Sequence, residues 1–479
     1  MSGGYEPVIG LEIHVQLQTR TKMFCGCELS FGDPPNVHTC PVCLGLPGAL
    51  PVANERAIQF ALMIGLALGC EIAGRSIFHR KNYFYPDSPK GYQISQYDIP
   101  ICRGGQLGDV RIHRVHIEED AAKLTHIGTS GRIHGSDRSV VDFNRCGTPL
   151  VEIVTEPDLH SAEQAREWLT LLRATLRALG VSDVNMEEGS LRCDANVSVR
   201  PIGSTELGTK TELKNMNSFR FLERGVNAEI ERQTKLLQAG GRIEQETLHF
   251  DPASGRLSTL RSKEEAQDYR YFPEPDLVPL VVTEEMITRA RAEVPELPAA
   301  RAQRFETDLG LGAGLARDLA FRPQLADYFE LALAAGGDRV DAVGLANWIP
   351  QLVERIGSES DPARSKVSPQ SFATLAAMVK AKDVSRDAAR EVLTRLVNDG
   401  GDPVAIVQDQ GLGALNAEED GLGDIVDRAI SSDPGAADKV RAGNMKAIGP
   451  LVGYVMRETK GRADGGEVTH LIRQRIRAG

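Results

Sequence analysis

Leu11, Ile13, Val15 and Leu17 alternate with Glu12, His14, Gln16 and Gln18 near the start of the chain. Successive side chains of a strand point to opposite faces. This stretch therefore predicts a strand with one apolar face. Its other face carries a carboxylate and an imidazole about 7 Å apart along the chain. The same alternation returns at 149–156, where Glu152 and Glu156 share a parity, and at 191–200, where Asp194 and Asn196 do so, flanked by Arg192, Ser198 and Arg200. A β-like run at 115–120 ends in Glu118, Glu119 and Asp120. Each acidic strand also reads as a surface strand whose polar face meets water. A sheet collecting these faces would present a carboxylate-rich, Arg-edged surface, which suits Mg²⁺ and phosphate chemistry.

Helical spacing replaces alternation in three early stretches. Ala57, Phe60, Ala61, Ile64 and Leu68 predict a helix over 54–70. Trp168, Leu169, Leu172, Leu176 and Leu179 line another over 161–179. Ser161 and Gln164 form its capping box and Gly180 its stop. A third runs from 219 to 239, ended by Gly240 and Gly241. From about 295 β-like runs cease and helical patterns continue to about 398. Residues 399–403, Asp-Gly-Gly-Asp-Pro, break them before a last helical segment. The expected fold class is α+β, with three domains at 1–294, 295–405 and 406–479.

Composition narrows the class. The chain has 479 residues, 41% hydrophobic and 25% charged, the balance of an ordinary soluble globular protein. No apolar run has the length of a membrane-spanning helix, and the first residues lack the basic and apolar regions of a secretory signal, so a cytoplasmic protein is expected. The net charge of −11 argues against sweeping nonspecific nucleic-acid binding. The charge is uneven, however. Residues 411–438 hold seven acids and one basic residue, and 439–479 hold nine basic residues and three acids. Lys439, Arg441, Lys446, Arg457, Lys460, Arg462, Arg473, Arg475 and Arg477 are candidates for a phosphate backbone, with solvated helix faces as the other reading.

Four of the eight cysteines are spaced C-x-C-x12-C-x2-C, at Cys25, Cys27, Cys40 and Cys43. Two close pairs across a turn-rich loop can give four thiolates to one tetrahedral Zn²⁺, a closed and therefore structural site. Four reduced thiols brought near one another by chance are the alternative. Residues 80–93 interleave Arg80, Lys81 and Lys90 with Tyr83, Phe84, Tyr85 and Tyr92. Such a loop can stack bases and meet phosphate, or simply pack on its domain. Residues 203–211 imitate a P-loop, but Lys210 and Thr211 fall out of step with G-x4-G-K-[ST], so we reject it.

Residues 8–15 with Glu12 and His14, 80–87, 116–120, 144–156, 186–196 and 268–279 resemble the B subunits of bacterial aspartyl/glutamyl-tRNA amidotransferases. The resemblance spans essentially the whole chain and is most specific in the first 295 residues. The four cysteines match the zinc-bearing branch of that family.

The resemblance implies a large cradle-like α/β domain with an antiparallel sheet, then a helical domain, then a small helical tail that touches tRNA. It implies an ATP-dependent ligase. Misacylated Glu-tRNA(Gln) or Asp-tRNA(Asn) is phosphorylated on its side-chain carboxylate, and ammonia released from glutamine by an amidase (A) subunit attacks the acyl phosphate. A small C subunit completes a heterotrimer. On this reading Glu12, His14, Glu119 and Glu152 handle metal and phosphate. Glu188, Asp194, Lys81 and Arg192 support nucleotide binding, and Lys439, Arg441, Lys446, Arg457 and Lys460 meet tRNA. Two other classes stand against it: a nonenzymatic tRNA-binding scaffold, and a metal-dependent phosphoester hydrolase built on the acidic strands.

Overall fold

The structure is a computed structural model describing residues 4–128, 136–214, 216–262, 268–357, 361–415, 421–459 and 461–478. The chain divides into two compact units, Met1–Pro298 and Ala299–Gly479.

A ten-stranded sheet organises the first unit. Its strands are β1 (Tyr5–Gln16), β2 (Glu71–Ile72), β3 (Cys102–Arg103), β4 (Gln106–Leu107), β5 (Val110–Glu119), β6 (Pro149–Thr155), β7 (Leu191–Pro201), β8 (Thr211–Lys214), β9 (Glu246–Asp251) and β10 (Arg256–Ser262). The order across the sheet is β10-β9-β8-β7-β1-β6-β5-β3-β2, with β4 beside β5. The first strand made is thus the central one. The sheet expected to be antiparallel is mixed, because β8 and β9 run parallel. A parallel pair needs a crossover longer than a hairpin. Helix α3 (Phe219–Gln238), capped by the Ser218 hydroxyl, lies in that crossover.

Alternation in β1 sorts its side chains as the parity dictates. Leu11, Ile13, Val15 and Leu17 are fully buried, while Glu12, His14 and Gln16 remain partly open. The apolar side packs in one cluster with Phe60 and Ile64 of α1 (Glu55–Ala67), with Trp168 and Leu172 of α2 (Ala162–Ala178), and with Leu222 and Val226 of α3. Each such side chain contributes roughly 1.5–3 kcal/mol by leaving water. Truncating Ile13 to Ala would cost about 2–5 kcal/mol. The Ser161 hydroxyl accepts from the Gln164 amide at 3.1 Å, and the Gln164 side chain accepts from the His160 amide at 2.8 Å, so the predicted cap closes the first turn of α2.

Every regular element among the described residues of the second unit is a helix. One apolar cluster gathers Phe305, Tyr328, Phe329 and Phe372. A second gathers Leu422, Val426, Leu451, Val455, Val468 and Ile472. Between them the Arg462 guanidinium donates to the Gly413 carbonyl at 3.0 Å. No helix among the described residues is long and apolar enough to cross a membrane.

Candidate active site

Strand register assembles the polar face of the sheet. His14 on β1 lies opposite Glu152 on β6 and Arg192 on β7, and Glu152 lies opposite His116 on β5. One row across four strands therefore reads Arg192, His14, Glu152, His116. In the next row Glu12 faces Asp194. On the other side Gln16 faces Leu150, which faces Glu118. Glu118 shares the parity of His116 and points to the same face.

The side chains converge. His14 Nε2 lies 3.4 Å from Glu152 Oε2 and 3.7 Å from both Glu12 Oε1 and Glu118 Oε1. His116 Nε2 lies 3.4 Å from Glu152 Oε2 and 3.6 Å from Glu118 Oε2. Arg114 donates to Glu152 Oε1 at 3.1 Å, and the Ser95 hydroxyl donates to Glu118 Oε2 at 3.0 Å.

Burial opposes charge on all of these groups, and their mutual attraction decides the outcome. Glu152 is buried, yet the charge of His116 and hydrogen bonds from both imidazoles hold its pKa well below the carboxylate norm. Burial works against an imidazolium at His116 as well, but Glu152 and Glu118 outweigh it and push its pKa up to about 9. Glu118 is lowered despite its burial, chiefly by the hydrogen bond from His116. The His14 pKa is raised too: the Glu152 hydrogen bond and the Glu118 charge overcome its burial. Glu12 goes the other way. Burial, then the negative charge of Glu152, raise its pKa against the pull of His14 and Lys214.

Two triads have ligand atoms all within 4.8 Å of one another: Glu12, His14 and Glu152, and His116, Glu118 and Glu152. They are chemically unequal. A protonated His116 has no lone pair for a metal, so the second triad satisfies itself as an ion-paired unit. The first triad contains Glu12, whose pKa burial and Glu152 raise and a nearby cation would lower again. Two carboxylates and one imidazole at this spacing fit a hard divalent cation that keeps several waters.

Cations border this cluster. Arg192 donates to Asp120 at 2.9 Å, and Asp120 also accepts from the Gln16 side chain at 2.6 Å. Lys214 bonds Asp194 at 2.7 Å. Lys81 comes from a small three-stranded sheet of His79–Asn82, Tyr92–Ser95 and Phe272–Pro273. Burial opposes its charge, but Glu118, Tyr271 and Glu152 raise its pKa. Its ammonium lies 4.8 Å from the centre of the Tyr269 ring. Arg80 on the same strand forms a bidentate pair with buried Glu274 at 2.7 and 2.8 Å.

Glu12, His14, Glu152, Arg192 and Asp194 thus meet on one face, with Lys81 acting on its carboxylates. Glu119 does not join them. It follows Glu118, points to the other side of β5, pairs with Lys90 and accepts from the Ile94 amide at 2.9 Å. Glu188 sits exposed on the turn before β7, outside both triads. Sequence reading placed His116, Glu118 and Asp120 in an acidic stretch but assigned no site role to them, to Arg114 or to Lys214. For the β5 residues the signal was parity: Arg114, His116 and Glu118 alternate in step.

The four cysteines form a separate group, their sulfurs within 4.8 Å of one another. Cys40 Sγ and Cys43 Sγ are 3.9 Å apart, close to the roughly 3.8 Å edge of a tetrahedron with about 2.3 Å metal–sulfur bonds. The buried Lys22 ammonium donates to Cys43 Sγ at 3.6 Å and to the carbonyls of His38 and Phe143 at 2.8 and 3.0 Å. The hydrogen bond from Cys25 is the main cause that draws the Cys43 thiol down to about 4, and Lys22 adds to it. Gly147, at φ +84°, runs close by: a Cβ there would lie 3.4 Å from the Lys22 stem and 3.7 Å from Cys43. A donor set of soft thiolates with one buried ammonium fits a four-thiolate metal site.

In the second unit Lys439, Arg441, Lys446 and Arg457 are exposed, and Arg441 pairs with Asp438 at 2.5 Å. Lys460 lies outside the described residues.

Fold and site meet in known sequences. Residues 7–288 match the GatB/GatE catalytic domain, and residues 327–476 match the GatB domain. The chain is 47% identical to the aspartyl/glutamyl-tRNA(Asn/Gln) amidotransferase B subunit of Anaeromyxobacter dehalogenans strain 2CP-1, over 98% of this chain and 99% of that one. It is 50% identical to the protein of that name from Frankia casuarinae, over 98% and 96%, and 48% identical to that of Moorella thermoacetica, over 98% and 100%. The chain belongs to the family of aspartyl/glutamyl-tRNA(Asn/Gln) amidotransferase B subunits.

Proposed function

We propose that the polar face of the sheet activates the side-chain carboxylate of a misacylated tRNA with ATP and then passes it to ammonia. The substrates are Glu-tRNA(Gln), Asp-tRNA(Asn) or both. The activity is that of a glutamine-hydrolysing, ATP-dependent carbon–nitrogen ligase. The observation that carries this reading is the Glu12, His14, Glu152 triad ringed by Arg114, Arg192, Lys214 and Lys81. Phosphoryl transfer needs positioning and positive charge around the group in flight more than covalent chemistry. Glu12 and Glu152 would hold Mg²⁺, with His14 joining them once the cation displaces its proton, and the ion would supply charge neutralisation at the phosphates. Lys81 and Arg192 bind anionic oxygens. Glu152 and Glu118 keep His116 protonated, so that it orients both carboxylates. Asp194 holds Lys214, and Asp120 holds Arg192, in place for the nucleotide. Glu188 and Glu119 lie on the periphery of this arrangement. They would act through the nucleotide's outer parts and through Lys90 respectively.

The ammonia comes from a glutaminase partner, the A subunit, and a small C subunit completes a heterotrimer in the cytoplasm. The four-thiolate site holds Zn²⁺ and is structural, since it leaves no open position. Beyond the helical domain at 295–405, the helical tail at 406–479 holds the tRNA, with Lys439, Arg441, Lys446, Arg457 and Lys460 on its backbone.

The test supplies ammonia directly and follows ATP-dependent conversion of Glu-tRNA(Gln) to Gln-tRNA(Gln) by the assembled enzyme. Glu12→Gln and His14→Ala should each lower the rate at least about 100-fold at subsaturating Mg²⁺, several kcal/mol of charge stabilisation being at stake. Glutamine hydrolysis by the partner should persist. Wild-type rates in both variants would move the reaction elsewhere.

A further inference from the structure

Glu229 on α3 is wholly buried and has no part in the carboxylate cluster. It accepts hydrogen bonds from the Thr211 hydroxyl at 2.7 Å, from the Gln233 side chain at 2.7 Å and from Arg232 at 2.7 and 2.8 Å. Gln233 also donates to the Val197 carbonyl of β7 at 3.0 Å, and Arg232 reaches Glu246 of β9 at 3.3 Å. One turn of α3 thus ties β7, β8 and β9 together. For stability alone the arrangement is a poor choice. A buried ion pair often does no better than well-packed apolar side chains of the same volume. The buried Gln233 Oε1, moreover, has no hydrogen-bond partner among the described residues. What hydrogen bonds supply here, and apolar contacts do not, is direction.

Position matters most at β8. It has four residues and pairs over three positions with each of its neighbours, β7 and β9. Thr211 and Leu213 are buried, while Glu212 and Lys214 alternate with them and stay partly open. Lys214 meets Asp194 at 2.7 Å, and Asp194 faces Glu12 across the β7–β1 pair. A slip of one residue would exchange the two faces of β8. A slip of two would carry Lys214 about 7 Å along the strand. Either takes its ammonium away from Asp194. Leu213 can follow the longer slip into another apolar slot. The Thr211 hydroxyl cannot, because it would leave its acceptors, Glu229 at 2.7 Å and the Val197 carbonyl at 3.3 Å. We propose that Glu229 is a positioning residue: acting through Thr211, it fixes the register of β8 and so holds the Lys214 ammonium at the carboxylate face. The inference rests on the role proposed above for that face.

The experiment uses the assembled enzyme and the ammonia-driven assay, with Glu229→Leu, Lys214→Met and the two combined. Thr211→Val and Thr211→Ser probe the same contact by a milder change. Glutamine hydrolysis by the partner and the thermal midpoint check assembly and folding. Lys214→Met removes one positive charge from the site and should lower kcat at least about 10-fold. Glu229→Leu should lose as much. The double variant should stay within about two-fold of Lys214→Met, because a lysine already displaced has nothing further to lose. Thr211→Val should lower kcat in the same way, and Thr211→Ser, which keeps the hydroxyl, should not. Amide exchange at 211–214 should quicken in Glu229→Leu and Thr211→Val but not in Lys214→Met. If Glu229→Leu does not assemble, the Thr211 pair decides alone. The proposal is overturned if Lys214→Met keeps the wild-type rate, or if it loses activity while Glu229→Leu and Thr211→Val do not. Losses that multiply in the double variant, or a Thr211→Ser as slow as Thr211→Val, overturn it equally. Glu12→Gln measured alongside separates the two ideas. If it abolishes turnover while Lys214→Met and Glu229→Leu change nothing, only the positioning role is lost. If it is harmless while the Lys214 and Glu229 losses coincide, only the carboxylate reading is lost.

Discussion

Replacing Glu152 by Gln removes the anion that two imidazoles and a guanidinium share. The shape of the side chain survives and its charge does not. His116 is buried and has its pKa raised from 6.5 to about 9, largely by Glu152. At about 1.4 kcal/mol per unit, that shift corresponds to roughly 3 kcal/mol of stability. The cost of breaking a buried ion pair is of the same order, about 3–5 kcal/mol. The sign fixes the pH dependence. A raised His pKa contributes stability that is complete below pH 6.5 and is lost as pH rises through 9. The depressed Glu152 pKa contributes stability that is present above pH 4.5 and is lost as pH falls further. The deficit of Glu152→Gln should therefore plateau near 3 kcal/mol between about pH 5 and 6.5, shrink as pH rises from there, and be largely gone above about pH 9.

Urea unfolding in Mg²⁺-free buffer measures this deficit. The chain has two tryptophans, and a Trp348→Phe background leaves Trp168, buried in α2, to report on the first unit alone. A deficit equal at pH 6 and pH 9.5, or below about 1 kcal/mol throughout, would refute the assignment of His116 as the cation that Glu152 anchors.

Other measurements reach the remaining parts. Purified chain should carry about one zinc, and Cys40→Ser should lose it while transamidation continues. Lys22→Met should release the metal to a chelator about 10- to 100-fold more readily, because the thiolate cluster loses its buried ammonium. Arg80→Met leaves Glu274 buried without its bidentate partner and should destabilise the first unit by about 3–5 kcal/mol in the same Trp168 assay. Removal of 411–479 should weaken tRNA binding and flatten its dependence on salt, by roughly 0.7–0.9 in log–log slope for each phosphate no longer neutralised. Unchanged affinity and slope would clear the tail of that role.

The strand bearing Glu12 and His14 was legible in the sequence because a period of two survives wherever one face is buried and the other is polar. The partners across the sheet were not legible. Nothing local says that Glu152, rather than Glu156, faces His14, since register depends on pairing between distant segments. Choosing Glu119 over Glu118 ignored a signal that was present, the shared parity of Arg114, His116 and Glu118. Lys22 gave no signal at all. A lysine after a strand reads as solvated, and only the fold shows its ammonium enclosed by two carbonyls and a thiol. The parallel β8–β9 pair was hidden for a related reason. A strand–helix–strand pattern fits either direction, and the sheet order decides.

The central place of β1 has a consequence for how the protein is made. It emerges from the ribosome well before both its neighbours, β6 and β7, which lie far down the chain at 149–155 and 191–201. At 5–20 residues per second it waits roughly 10–40 s with Leu11, Ile13, Val15 and both backbone edges unpaired. An apolar strand with two open edges is a template for pairing with other chains. Contacts so distant in sequence also slow folding, because loop closure must precede any reward. The strand that carries the chemistry is thus the one most in need of shielding during synthesis. Substitutions that make its polar face more apolar should lower soluble yield before they alter the stability of the finished fold.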